Sequence, residues 1–281
     1  MNSYQVIGPA CISFSGGRSS AYMLRHILDA HNGKLPQDVV VIFCNTGKER
    51  EETLRFVDAC AENWSVPIVW LEYVDHDKPA QRWKRVAFDT ASRDGQPFEE
   101  VIRRRKYLPN PVTRFCTADL KIKTAHRYLV SCGWNYWTTV LGFRADEPRR
   151  VARLSEPNRS RDDRIAPMAE VGVTKQIVTE WWAQQTFDLA LPNVNGQTMH
   201  GNCDLCFLKG RDLLISLIRE EPKRAIWWAS MEKSIQSSGK FLGDGARFRK
   251  DRPSYASMLN NVDRQKDFFS DEPLADCFCG D

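Results

Sequence analysis

Ala10-Cys11-Ile12-Ser13-Phe14-Ser15-Gly16-Gly17-Arg18-Ser19-Ser20 is the stretch on which the fold turns. Its mostly apolar start predicts a short buried strand, a Gly-Gly turn follows, and the next helix opens with hydroxyls. Such a turn is an anion cradle. Glycines let successive backbone N–H groups face one ligand without Cβ interference, and the helix N-terminus adds partial positive charge. Ser15, Ser19 and Ser20 are candidate donors, and Arg18 is a candidate charge. A plain tight turn is the other use of these residues, and the neighbouring sequence favours the cradle.

Val39-Val40-Val41-Ile42-Phe43-Cys44 is a continuous apolar run, the pattern of a strand covered on both faces. It leads into Asn45-Thr46-Gly47 and then a helix carrying Glu51, Glu52, Thr53, Phe56 and Val57. Two parallel strands ending in polar, glycine-containing loops define the crevice where an open α/β sheet takes a nucleotide. Another strand, Trp137-Thr138-Thr139-Val140-Leu141, is followed by Gly142-Phe143-Arg144-Ala145-Asp146-Glu147. Arg144 then stands at a strand's carboxyl end, suited to gripping phosphate or sulfate bidentately. Lys121 and Lys123 can neutralise the same anions.

A chain of 281 residues that is 42% hydrophobic can bury one full α/β core and an appended region. The expected division is a nucleotide-binding domain over 1–165, with an insertion near 75–111, and a helical extension over 166–281. A net charge of +4 is too small to dictate a nucleic-acid partner. The basic residues are unevenly spread, however. Arg103-Arg104-Arg105-Lys106 reads equally as a solvated face or an anion site, whereas the arginines of 144–164 lean towards anion binding. Helices are expected over 174–185, 211–220 and 221–233, with their tryptophans in the core, and an anion-binding loop over 239–253.

No signal peptide or membrane span is legible, so a cytoplasmic, reducing setting is expected. Nine cysteines there favour metal or redox chemistry over a disulfide framework. Cys11, Cys44, Cys60 and Cys132 read as core packing. Cys203-Asp204-Leu205-Cys206 and Cys277-Phe278-Cys279 are two close pairs able to build a four-sulfur site. Cys116 stands apart, at the start of a helix, in Arg114-Phe115-Cys116-Thr117-Ala118-Asp119-Leu120-Lys121.

Ser15-Gly16-Gly17-x-x-Ser20 resembles the PP-loop of the ATP pyrophosphatases. Thr46-Gly47 followed by Glu52-Thr53 and Phe56 is similar to the second signature of the phosphoadenosine phosphosulfate (PAPS) reductase family. Gly142-x-Arg144 resembles the loop that family places beside the nucleotide phosphates, and Ser15 to Met23 looks like its phage and mobile-element branch. The resemblance covers most of the chain, from about Cys11 to Cys206. It implies the parallel-sheet, adenine nucleotide α-hydrolase-like fold, with a C-terminal helical extension that contains cysteines. It also implies a nucleotide site of Ser15, Gly16, Gly17, Arg18, Ser19, Ser20, Asn45, Thr46, Gly47, Glu52, Lys121, Gly142 and Arg144.

The Cys116 segment resembles the one that supplies cluster cysteines in adenylylsulfate (APS) reductases, with Phe115 in place of a second cysteine. That resemblance implies a [4Fe–4S] cluster on Cys116, Cys203, Cys206 and Cys277. Zn²⁺ on Cys203, Cys206, Cys277 and Cys279 is the rival. The tail keeps the Cys279-Gly280 of a reductase tail and loses the Leu-His that follows, so Cys279 is the candidate nucleophile, assisted by Arg144 and Arg18.

Three functions follow as expectations. In the first, Ser15, Gly16, Gly17, Ser19 and Ser20 hold the β- and γ-phosphates of ATP with Mg²⁺, and an acceptor is adenylated as pyrophosphate leaves. Sulfur from a cysteine desulfurase or the cluster then displaces AMP, as in nucleic-acid thiolation or DNA phosphorothioation. Ser19 stands where the pyrophosphatase loop often has Asp, so a metal-binding carboxylate must come from Glu49 or Glu52. In the second, a terminal cysteine attacks the sulfur of PAPS or APS, thioredoxin resolves the adduct, and sulfite forms. The third is a nucleic-acid-binding module without catalysis.

Overall fold

A computed structural model of the chain describes residues 2–155, 161–194, 197–236 and 246–262. The run at the head of the chain forms β1 (Ala10–Ser13), and β2 (Val39–Asn45), β3 (Ile68–Glu72), β4 (Lys84–Val86), β5 (Trp137–Leu141) and β6 (Asp162–Ile165) follow. They make one six-stranded sheet in the order β4-β3-β2-β1-β5-β6. Every pairing is parallel except β3 with β4. A parallel sheet is covered on both faces, which is why β2 reads as a continuous apolar run as far as Cys44 and β1 and β3 as mostly apolar ones. Ser13 pairs with Ile42 on one side and Leu141 on the other. The loops after β1, β2 and β5 therefore emerge side by side, at the point where chain order reverses across the sheet.

The helices are α1 (Arg18–Ala30), α2 (Glu51–Asn63), α3 (Gln96–Arg105), α4 (Lys123–Ser131), α5 (Pro148–Ala152), α6 (Pro167–Glu170), α7 (Lys175–Trp182), α8 (Arg211–Glu220), α9 (Lys223–Gln236) and α10 (Tyr255–Asn261). A π-helical turn, Thr117–Ile122, leads into α4. Helix α8 has the bounds expected of it. Helix α9 starts at Lys223 because Pro222 has no N–H with which to extend α8 and its fixed φ suits a new first turn. Thr174 caps α7, its hydroxyl accepting from the N–H of Ile177 at 3.5 Å.

Three apolar clusters hold these elements. The first packs α1, α2 and the sheet through Ile12, Phe14, Leu24, Phe43 and Trp70, and it also takes in Val178 and Trp182 of α7. The second joins Phe98 and Ile102 of α3 to Phe115, Leu205, Leu214, Trp228, Phe248 and Tyr255. The 75–111 segment and the later helices thus share one core. The third lies between sheet and α4, around Cys11, Ile42, Cys44, Leu129 and Trp137. Trp182 and Trp228 are core residues, as expected, and Cys11, Cys44 and Cys60 are buried. Cys132 departs from its expectation. It is exposed, because α4 ends there and the chain turns away at Gly133 (φ +87°). Among the described residues no helix is long and apolar enough to cross a membrane.

Candidate nucleotide and thiol site

Gly16 sits at φ +79°, and a Cβ on it would lie 2.8 Å from Cγ2 of Thr53 and 3.1 Å from Cγ2 of Val57. Both facts demand glycine. Gly17 is the N-cap of α1, without a side-chain capping hydrogen bond, and the first turn carries no acid. The positive end of the helix is therefore left facing the loop. Ser20 braces that loop from inside. Its hydroxyl accepts from the N–H of Ser15 (3.2 Å) and from Ser15 Oγ (2.9 Å), and donates to the carbonyl of Gly17 (3.0 Å). Arg144 reaches the same turn, with Nη1 donating to Ser19 Oγ at 2.8 Å and Nε to Asp146 at 3.0 Å. Gly142 lets β5 approach this closely, since a Cβ there would sit 3.1 Å from Cα of Ser20.

Arg18 turns to a different task from the anion binding expected of it. Its Nε and Nη2 donate to the two carboxylate oxygens of Asp188 (2.7 and 2.6 Å), and Nη1 donates to Thr198 Oγ1 (3.1 Å). It fastens the segment that covers the loop. Leu189, Thr198, Gly201 and Asn202 close a small cavity against Ser15, Gly16, Gly17, Glu49, Thr53 and Lys121. That cavity measures ≈20 Å³, room for about one water. It is too small for a phosphate with the cover in this position.

The loop after β2 forms the facing wall. The Asn45 side chain donates to Glu72 Oε1 (2.7 Å) and the Ser92 carbonyl (2.8 Å), while its Oδ1 accepts from the N–H of Gly47 (3.1 Å). Thr46 donates to Glu49 Oε2 through its N–H (2.9 Å) and its hydroxyl (2.7 Å). Glu49 Oε1 is buried and accepts no hydrogen bond, and Lys121 Nζ stands 3.8 Å away. Glu52 does not line the cavity. Its carboxylate lies 3.9 Å from Nε of Arg50.

A larger chamber of ≈130 Å³ opens between the sheet and α4, walled by Cys11, Ile42, Cys44, Leu129, Trp137 and Phe143 among others. Its polar side chains are Ser13, Ser15, Thr117, Lys121, His126, Thr139, Asp162 and Arg164. Burial pushes the Cys44 thiol up to about 12, with the nearby Lys121 opposing the shift, and holds the His126 imidazole towards its neutral form. Ser15 and Lys121 line this chamber and the small cavity alike. An apolar chamber meeting an anion cradle through shared polar groups has the shape and chemistry of a base-and-phosphate site.

The Cys203-x-x-Cys206 loop closes the arrangement. Cys203 Sγ lies 3.5 Å from Thr46 Oγ1. The single hydroxyl proton of Thr46 goes to Glu49, so the thiol is the donor in this contact. Burial, then the neighbouring Glu49 and Cys206 charges, push the Cys203 thiol well above its ordinary range. Asp204 anchors the loop. Its N–H donates to the Lys48 carbonyl (2.7 Å), and its carboxylate pairs with Lys48 Nζ (3.1 Å) and accepts from Trp228 Nε1 (2.9 Å). Both charges are almost wholly buried. Nothing in the spacing of Lys48 and Asp204, which lie far apart in the chain, announces this pair. Cys116 and Cys206 pack on the same apolar cluster as Cys203. Among the described residues, however, no three His, Cys, Asp or Glu side chains are arranged to hold a metal ion. Cys277 and Cys279 lie outside the described residues, as does the 239–245 part of the expected basic loop. The expected cluster and the expected zinc site thus each take part of their ligands from outside the described residues.

Of the arginines of 144–164, Arg144, Arg150 and Arg164 are paired with acids of the fold. Arg150 bonds Glu147 and lies 4.2 Å over the Phe143 ring, and Arg164 donates to Asp162 at 3.2 Å. Arg103, Arg104 and Arg105 pair with Glu99, Asp75 and Asp119.

Residues 9–172 match the phosphoadenosine phosphosulfate reductase domain. That span runs from just before β1 to just after α6, and so holds both loops, Cys116, Lys121 and Arg144 but not the Cys203-x-x-Cys206 loop. The chain is also similar to an uncharacterized nin region protein of Escherichia phage lambda, 32% identical over 207 residues. The alignment covers 70% of this chain and 65% of that protein, so the chain spans a little less than two thirds of the relative's length.

Proposed function

The chain belongs to the phosphoadenosine phosphosulfate reductase domain family, and from that premise we propose that it is a nucleotide-binding enzyme that uses ATP to activate an acceptor for sulfur transfer. The phosphates lie against Ser15, Gly16 and Gly17, and the base lies in the apolar chamber, with Ser15 and Lys121 between them. An acceptor oxygen attacks the α-phosphorus, pyrophosphate leaves, and the adenylated acceptor is then open to a sulfur nucleophile that displaces AMP. The chain's part is electrostatic. Preorganised loop N–H groups, the α1 N-terminus and Lys121 stabilise charge that develops on the leaving pyrophosphate. Mg²⁺, carried in with the nucleotide, would offset further charge there. Nucleic acid is the proposed acceptor class, and a cysteine desulfurase the proposed sulfur source.

The observation that carries this reading is the junction of the two loops. Gly201 and Asn202 wall the anion cavity, and the next residue, Cys203, touches Thr46 of the nucleotide loop. A thiol one residue beyond the wall of a phosphate cradle supports sulfur chemistry on an activated substrate. The same junction supports a second reading, reduction of PAPS or APS to sulfite with thioredoxin as partner. The intact Ser-Gly-Gly loop favours ATP.

The test is product analysis on anaerobically purified protein. Pyrophosphate released from Mg²⁺–ATP in the presence of DNA or RNA, and lost in Gly16→Ala, is the expected result. Sulfite from PAPS or APS without pyrophosphate from ATP would overturn it and establish the reductase.

A further inference from the structure

A carboxylate in an anion cavity needs an explanation, because two like charges in a water-poor space repel. Glu49 is that carboxylate. It is 6% exposed and lines the cavity with Ser15, Gly16 and Gly17. Its Oε2 is saturated by the two bonds from Thr46, which fix the side chain's direction. Its Oε1 accepts no hydrogen bond, and Lys121 Nζ, at 3.8 Å, is beyond hydrogen-bond reach.

We propose that Glu49 is the protein's ligand to a hard divalent cation of the Mg²⁺/Mn²⁺ class, which enters the cavity with the nucleotide's phosphates. The proposal rests on the ATP reading above. Three observations support it beyond the orphaned oxygen. The other side-chain oxygens that line the cavity are the hydroxyls of Ser15, Thr53 and Thr198 and the amide oxygen of Asn202, while the Lys121 ammonium, itself a cation, is no metal ligand. Among the described residues neither thiol nor imidazole lines it, so the oxygen donors suit a hard cation and not a soft one. Mg²⁺ is commonly held by one or two carboxylates plus substrate phosphates, so one fixed carboxylate suffices and no three-donor protein cage is required. Finally, the other acids near the loop do not line the cavity. Glu52 Oε2, which also lacks a hydrogen bond, lies 3.9 Å from Nε of Arg50, and Glu72 holds Asn45, Ser92 and Lys84.

The chemistry makes a prediction of opposite sign in two conditions. Without metal, Glu49 repels the phosphates; with metal, it attracts the complex. Equilibrium binding of α,β-methylene-ATP is measured in EDTA and in Mn²⁺ for the wild type, Glu49→Gln and Glu52→Gln. Glutamine keeps an oxygen for the two Thr46 bonds. The expected result is that Mn²⁺ tightens wild-type binding by about tenfold or more, as loss of a carboxylate partner to a metal implies. Glu49→Gln should bind as tightly as the wild type or tighter in EDTA and more weakly in Mn²⁺, and Glu52→Gln should follow the wild type. A folding defect lowers both values together and cannot produce that crossover. Equal metal dependence in wild type and Glu49→Gln, equal weakening by Glu49→Gln in both conditions, or wild-type binding indifferent to Mn²⁺ would each overturn the proposal with the ATP reading intact. Absence of binding by the wild type in both conditions would overturn the ATP reading, and this proposal with it.

Discussion

The two walls of the anion cavity are built in opposite ways. The wall at Ser15–Ser20 is a contiguous motif: strand, turn and helix start, braced by Ser20 bonding back to Ser15 and Gly17. The wall at Thr198–Cys206 has little regular structure of its own and is held from a distance, by Arg18 on Asp188 and Lys48 on Asp204. Local geometry makes the first wall. Ion pairs between distant parts of the chain make the second, and so the thiol side should be the easier to detach without destroying the cradle.

The largest expected effect tests that difference. Lys48→Met leaves Asp204 buried with Arg224 and Trp228 but without its closest cation, which should cost ~3–5 kcal/mol by chemical denaturation. Alkylation of Cys203 and Cys206 should accelerate with it. Lys48→Met combined with Asp204→Leu should recover part of the loss. If alkylation of the two thiols is unchanged in the single variant, the ion pair is not what holds the thiol wall.

Gly16→Ala acts on the other wall. Positive φ and the 2.8 Å approach to Thr53 should cost ~1–3 kcal/mol and abolish nucleotide binding, while alkylation of Cys203 stays near the wild-type rate. Asp188→Asn should be milder. Asp188 is 42% exposed at its side chain, so the loss is put at ~1 kcal/mol or less. Its visible consequence should be faster nucleotide association, as the cover over the loop loosens. Slower association would show that the cover helps to assemble the site.

The smallest effect on the cavity comes from the second core. Burial raises the Glu232 carboxyl to about 7 from 4.5, against the N–H groups of Phe248 and Tyr255 that it accepts. Its protonated form is therefore favoured on folding. The stability it contributes should be fully present below pH 4.5 and be lost as pH rises through 7. Glu232→Gln should flatten that part of the stability profile and leave nucleotide binding as it was. An unchanged slope in the variant would assign the pH dependence elsewhere.

The sheet and the cradle were legible in the sequence because each is local. Unbroken apolar runs mark strands buried on both faces, and Ser15-Gly16-Gly17 specifies a turn through its own backbone. The role of Arg18 was not legible. An arginine beside a phosphate loop carries the same letter whether it faces the anion or, as here, Asp188, and only tertiary placement decides. The Lys48–Asp204 pair was hidden for the same reason. Glu49 and Glu52 were equivalent as letters. Their positions on either side of the start of α2 separate them, since one lines the cavity and the other faces Arg50. Cys132 reads as core by its neighbours and is exposed because the helix ends beneath it.

The central claim is that chamber, cradle and thiol wall form one nucleotide site. A crystal structure with α,β-methylene-ATP and Mg²⁺ tests it most directly. The account predicts the phosphates on Ser15, Gly16 and Gly17, the base among Cys11, Cys44 and Trp137, and Leu189 to Asn202 displaced outward. Phosphates bound away from the Ser15–Gly17 loop, or a base left outside the chamber, would contradict it.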